Sequence, residues 1–370
     1  MTDKIIRICR KFTLLVAFLL LLQSIHSQNK FSKVDAWLTD NLADLGGRIV
    51  LQVYRNGKIV YSKSVNNLTS RQKMIGKFIA KRQGKDPSEV TKDFNPNSQE
   101  LIASSSKWLS AALVMTFVDA GKLNLEDTIG KYLPVMTKNG KGNIRIWQCL
   151  SHLTGIKTPA TKEDIKEMKN INSMDEAIEK IAELPMEGEP GKVFHYSSAG
   201  LQIAGAILEK ISGKDFETNF QERIAKPCKM TNTDFGKGKL AIPAGSGRST
   251  TDDYIKFLTM ILHDGVFEGK QVISKNSIIR MQQNYAKGAT VGFSPAEAGN
   301  WGYGFGEWVM EEATIRSKGV TSPGLFGAFP WIDNEKKYAG FLMCFNLKQN
   351  GRNEKYKELK ALVDEALGEK

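Results

Sequence analysis

A serine followed three residues later by a lysine is the smallest unit in this chain that could carry acyl transfer. In Ser104-Ser105-Ser106-Lys107 that pair heads a long apolar stretch. Residues 105–120 read Ser-Ser-Lys-Trp-Leu-Ser-Ala-Ala-Leu-Val-Met-Thr-Phe-Val-Asp-Ala, and Gly121 follows. Alanine and large apolar side chains on nearly every face predict a fully buried helix, ended by the glycine. A helix N-terminus offers N–H groups without intrahelical acceptors and a positive field, and both stabilise an oxyanion. Serine and lysine three apart share one helical face. Partial desolvation beside an apolar helix makes a lysine a better acceptor for the serine proton. The spacing alone is common: Ser27/Lys30 and Ser70/Lys73 repeat it without such a helix. An N-cap serine with a solvated lysine would read the same way, so the choice rests on the rest of the chain.

The elements that must position this pair are legible as patterns. Residues 48–63 read as a hairpin: Arg48-Ile-Val-Leu-Gln-Val-Tyr is β-branched and apolar, Asn56-Gly57 is a favoured two-residue turn, and Ile59-Val60-Tyr61 returns. Residues 64–98 are polar and lysine-rich, with Gly84, Pro87 and Pro96, and read as a surface insertion whose Met74–Arg82 part forms a short amphipathic helix. From about 122 to 250 helical segments and loops alternate, among them Met174–Ala182 and Gly200–Ile211, and residues 251–285 are again partly helical. From Trp301 the pattern turns to strands, Gly302–Met310, Gly324–Ile332 and Tyr338–Phe345, before an amphipathic helix, Glu354–Leu367. Strands at both ends and helices between predict an α/β fold of the α+β kind. Its antiparallel sheet is built from N- and C-terminal strands, is flanked by helices, and carries a mostly helical inserted region.

Further boxes follow the serine in order. Asp119–Asp127 is similar to the pattern G-K-L-x-L-D-D, and Leu150-Ser-His-Leu-Thr-Gly-Ile156 to L-L-x-H-x-S-G-L. Phe194-His-Tyr-Ser-Ser-Ala-Gly200 is similar to F-x-Y-S-N-x-G, Gly245–Asp253 to G-G-x-x-S-T-x-x-D, and Trp301–Trp308 to a glycine-aromatic strand. With S-x-x-K first, this series resembles the serine β-lactamases, penicillin-binding proteins and related esterases, nearest the class C-like branch, over roughly residues 48–350. The resemblance implies a β-lactamase/transpeptidase-like fold, Ser104 as the acylated nucleophile, Lys107 as its proton acceptor and Tyr196 as the proton relay to the leaving group. It gives His152 a structural role, holding a turn by hydrogen bonds. His195 flanks Tyr196 but, as a neighbour in extended chain, is expected to point away.

Two positions depart from the pattern. Ser198 stands where the family has an asparagine that holds a substrate carbonyl. The third box, usually K-T-G or H-x-G, is best matched by Ser322-Pro323-Gly324, without a cation for a substrate carboxylate. Ser322 is expected beside Lys107 and Tyr196, and Leu325, after Gly324, is expected to give a second oxyanion N–H alongside that of Ser104. An alternative alignment to Ser317-Lys318-Gly319 restores a lysine but fits the following strand less well. These departures favour a general serine hydrolase acting on esters or amides, small molecules or peptides, over an efficient β-lactamase. A catalytically weak penicillin-binding-like sensor is the alternative. No G-x-S-x-G elbow is present, and no metal or organic cofactor is implied.

Bulk properties set the remaining expectations. Lys4, Arg7, Arg10 and Lys11 precede an apolar run from Phe12 to Leu22, then Gln23, Ser24 and Ser27. The run is shorter than the roughly 20 residues of a membrane span, so residues 1–27 read as a cleavable secretory signal and the protein as exported, periplasmic or secreted. Residues 28–370 are expected to form one hydrolase domain. The chain of 370 residues carries a formal charge of +12, and residues 1–27 hold +3 of it, leaving +9. No aromatic-interleaved basic motif accompanies that charge, which argues against nucleic acid. Anionic envelope polymers remain a partner class the charge would suit. Of the four cysteines Cys9 lies in the leader, and those that remain, Cys149, Cys228 and Cys344, are an odd, widely spaced set that argues against a disulfide scaffold.

Overall fold

Arg48–Arg55 (β1) and Lys58–Asn66 (β2) form the expected hairpin, with Asn56 and Gly57 both left-handed (φ 51° and 81°) as a two-residue turn requires. The second strand runs three residues further than its sequence suggests. This computed structural model describes residues 30–82, 86–159, 171–236, 240–346 and 351–368. The leader expected at 1–27 lies outside them.

Five more strands complete the sheet: Gly302–Tyr303 (β3), Trp308–Glu311 (β4), Gly319–Thr321 (β5), Phe329–Asp333 (β6) and Tyr338–Cys344 (β7). Their order is β2-β1-β7-β6-β5-β4-β3, antiparallel throughout. The N-terminal hairpin thus joins the C-terminal strands at β1–β7, where Leu51 faces Leu342 and Val53 faces Gly340. The sheet matches the β-lactamase/transpeptidase-like expectation.

Strand alternation divides β7 between two cores. Tyr338, Leu342 and Cys344 pack with Ile49, Leu51 and Val53 against the helices Ser32–Asp40 (α1) and Arg352–Ala366 (α6). Ala339, Phe341 and Met343 point the other way into the larger core. That core also takes Ser106–Asp119 (α3), Ala199–Ser212 (α4) and Thr251–Leu262 (α5), with the shorter helices Ile146–Leu150 and Met174–Glu183. Ser70–Arg82 (α2) lies in the insertion after β2. The α3 helix is buried from Ser106 to Phe117, as its apolar faces require. Cys149, Cys228 and Cys344 are buried free thiols.

The C-terminal strands differ from their sequence pattern in two places. The stretch 302–310 is not one strand: Gly304 N–H donates to Glu307 O at 2.8 Å and Gly306 is left-handed at φ 74°, so the chain turns between β3 and β4. Residues 324–328 are likewise a turn, closed by Gly324 N–H to Ala328 O at 2.7 Å, and the strand starts only at Phe329. The short strand β5 gave no apolar run long enough to read.

Candidate active site

The chain enters the nucleophile helix through a tight turn. Ala103 is left-handed (φ 46°), uncommon for a residue with a Cβ. Ala103–Ser105 form one 3₁₀ turn, and α3 begins at Ser106. Ser104 therefore stands just ahead of the helix rather than within it. The three consecutive serines have different environments. Ser105 is buried, its hydroxyl donating to Ser322 O at 2.6 Å while its carbonyl accepts from Tyr254 OH at 2.8 Å. Ser106 is buried and its Oγ accepts from Gly247 N–H at 2.9 Å. Ser104 alone of the three is partly exposed.

Lys107 is 3% exposed and reaches Ser104 Oγ at 3.2 Å. Its Nζ also donates to Ala244 O at 2.9 Å and sits 4.8 Å from the centre of the Tyr196 ring. Nζ thus lies over the face of that ring, between it and Ser104 Oγ. Ala244 immediately precedes the box Gly245–Asp253, whose ending has a local reason: Thr250 caps α5, its Oγ1 accepting from Asp253 N–H at 3.0 Å. The same segment braces the nucleophile turn, since Ile102 N–H donates to Gly247 O at 3.0 Å.

Tyr196 is held from three sides. Its N–H donates to Phe293 O at 2.9 Å, at the end of a short parallel pairing of Val193–His195 with Thr290–Phe293. Its ring stacks on Trp308 (5.1 Å, 26°) and contacts His152 (4.6 Å). Lys107 lies beside both Ser104 and Tyr196, and no direct hydrogen bond joins those two.

His152 sits beneath this layer, buried and left-handed at φ 60°. Ser197 N–H points at its Nδ1 (3.4 Å), which assigns the ring proton to Nε2, 3.0 Å from Tyr303 OH. Burial, reinforced by the charge of Lys107, holds its pKa well below the ordinary imidazole value. A neutral ring engaged at both nitrogens, by Tyr303 and Ser197 and not by Ser104, organises the turn. His195 does point away from the site: Nδ1 meets Glu187 Oε1 at 2.5 Å and Nε2 meets Thr158 O at 3.1 Å.

Of the remaining predicted residues, Ser322 departs from its expected place. Its Oγ bonds Gly306 O at 3.0 Å and Ser104 O at 3.3 Å, so it braces backbone instead of joining Lys107 and Tyr196. The physical cause is that Ser322 directly follows β5 with its hydroxyl within reach of the carbonyls of both Gly306 and Ser104, which share its one proton. Ser322-Pro323-Gly324 is nonetheless the segment against the nucleophile turn. Lys318 of the rival alignment pairs with Glu311 and Glu335 at the surface. A Cβ on Gly324 would meet Ile102 O at 2.2 Å, so only glycine lets the two backbones approach this closely. Leu325 is 43% exposed and Ser198 is exposed at the N-cap of α4. Sequence reasoning missed the Ala244 carbonyl and the Trp308 stacking platform. Trp308 ended a recognised box, whereas a backbone carbonyl leaves no residue-type signal.

A family model described as Beta-lactamase matches residues 44–365. The chain therefore belongs to the β-lactamase family of serine hydrolases. A solved β-lactamase-like structure from Bacteroides dorei shares 27% identity and a TM-score of 0.75, with 92% of this chain and 99% of that chain covered. EstCE1, a hydrolase with promiscuous acyltransferase activity, superposes with a TM-score of 0.70 at 18% identity, covering 92% and 99%, and shows the shared fold. Protein flp of Staphylococcus aureus is 27% identical over 161 residues, 43% of this chain and 32% of its own length. The match thus spans about a third of that relative.

Proposed function

We propose that this protein hydrolyses carboxylic esters or amides through an acyl-enzyme on Ser104. One observation carries the reading: of three consecutive serines, the one open to solvent is the one that a buried lysine touches, at 3.2 Å. With its amine neutral, Lys107 takes the Ser104 hydroxyl proton as Oγ bonds to the substrate carbonyl carbon. The electron pair moves to the carbonyl oxygen, which the N–H groups of Ser104 and Leu325 hold. Collapse breaks the bond to the alcohol or amine, which leaves with a proton delivered through Tyr196. Water then attacks the acyl group by the reverse path and frees the acid and Ser104. Ser198 offers a hydroxyl to the substrate beside Tyr196. The Ser322-Pro323-Gly324 turn lacks a cation for a β-lactam carboxylate, which favours small esters, amides or peptides over efficient β-lactam turnover. The leader-like residues 1–27 support export, to a periplasm or beyond.

A second reading is a sensor that acylates and releases slowly. The Ser322 hydroxyl, committed to two carbonyls, favours it. Turnover of p-nitrophenyl butyrate by the wild type, lost in Ser104→Ala, supports the hydrolase. Stoichiometric labelling by a fluorescent penicillin without turnover assigns the sensor. Neither turnover nor labelling removes both.

A further inference from the structure

We infer that the insertion helix α2 seats this protein on an anionic lipid surface. The inference is independent of the chemistry at Ser104 and rests on how Ser70–Arg82 is oriented. One stripe of the helix, at i, i+4 and i+8, faces the protein. Gln72 Nε2 bonds Gly46 O at 3.3 Å, Gly76 lies against Val90, and Ala80 is buried. The opposite stripe holds Met74 and Phe78, with Ile75 at its edge, and these are 66%, 62% and 45% exposed. Large apolar side chains are thus aimed at water from the middle of the outward face, the reverse of an ordinary surface helix. Arg71, Lys73, Lys77, Lys81 and Arg82 surround them, all exposed. No acidic residue occurs between Ser70 and Arg82.

Charge complementarity and apolarity together select the occupant. Five cations on thirteen residues suit any polyanion, but a soluble polyanion gives Met74, Ile75 and Phe78 no apolar phase to enter. A lipid surface with anionic headgroups gives both: the cations meet phosphates while the three apolar side chains enter the headgroup–acyl boundary. The helix lies on such a surface and does not cross it. Among the described residues no helix is long and apolar enough to span a membrane.

The test is hydrogen exchange of the 70–82 amides in the full-length chain, a local readout that the apolar residues 12–22 do not move. Vesicles of phosphatidylglycerol and phosphatidylcholine are expected to slow exchange there about ten-fold or more relative to buffer, and phosphatidylcholine alone far less. High salt should reverse the protection, and each of Lys77→Gln and Lys81→Gln should weaken it about five-fold. The triple variant Met74→Ser, Ile75→Ser, Phe78→Ser changes only exposed side chains and should lose the protection while keeping the wild-type melting temperature. Four results with added lipid or polyanion overturn the inference. They are no protection on anionic vesicles, equal protection on neutral ones, unchanged protection in the triple variant, or equal protection by soluble polyphosphate. Protection that grows with protein concentration without lipid would assign the face to a second copy and also overturn it.

Discussion

Gly324→Ala is the sharpest probe of how the fold assembles the site. Gly324 is not left-handed, so the substitution tests space and not conformational freedom. The added Cβ would sit 2.2 Å from Ile102 O, where side-chain carbons keep at least 3.0 Å, so one backbone must retreat by about 0.8 Å. Ile102 leads directly into the strained turn carrying Ser104, and Gly324 directly precedes the Leu325 N–H. The turn moves as a unit, because Gly324 N–H is tied to Ala328 O and Gly327 N–H to Gly324 O. The displacement therefore separates the two proposed oxyanion donors. A misplacement near 1 Å costs about 100-fold in rate, and loss of one oxyanion donor about 100- to 1,000-fold. The expected result is a kcat for p-nitrophenyl butyrate lower by about 100-fold with KM little changed, since the loss falls on the transition state. Overpacking should lower stability by about 1–3 kcal/mol, which circular dichroism melting would register as a folded protein. A folded Gly324→Ala enzyme with kcat within about two-fold of wild type would show that the close approach of Gly324 to Ile102 does not set the oxyanion geometry.

Two other substitutions follow from buried ionisable groups. Glu307 is fully buried beside Trp108 with no hydrogen bond of good geometry to either carboxyl oxygen, and burial, only partly offset by Arg316 and Trp108, raises its pKa well above the ordinary carboxyl value of 4.5. The folded state keeps the proton that the unfolded state releases above pH 4.5. Stability is thus lost with rising pH, by about 1.4 kcal/mol per pH unit until the folded carboxyl also ionises. Glu307→Gln should remove that slope and melt higher than wild type at pH 8 but not at pH 4.5; parallel melting curves across this range would contradict it. Glu187→Ala leaves a His195 nitrogen unpaired beside the strand that presents Tyr196. It should cost about 2 kcal/mol in chemical denaturation and lower kcat more than it raises KM, whereas wild-type kinetics in a destabilised variant would restrict the pair to stability.

The parts of this molecule legible in sequence were those where one residue type has one physical use. Asn56-Gly57 specified a hairpin because both positions are left-handed. The all-apolar faces of 106–117 specified a buried helix, and the serine and lysine at its head were placed by helical spacing. What stayed hidden depends on long-range backbone geometry. Nothing local showed that 304–307 is a turn, since glycines and aromatics alternate as in a strand. Nothing in its type showed that the Ser322 hydroxyl would be drawn to the carbonyls of Gly306 and Ser104 instead of Lys107. The sequence of α2 shows an amphipathic pattern but not its outward-facing apolar stripe, because which face meets the protein is decided by Gly46 and Val90, both outside the helix.

The central claim, that Ser104 forms the covalent intermediate, is tested most directly by mass spectrometry of protein treated with a fluorophosphonate. The expected result is a single adduct on the peptide containing residues 103–107, localised to Ser104, absent in Ser104→Ala and slowed in Lys107→Ala. An adduct on Ser105, Ser106 or a serine elsewhere, or none in protein that still hydrolyses esters, would contradict it.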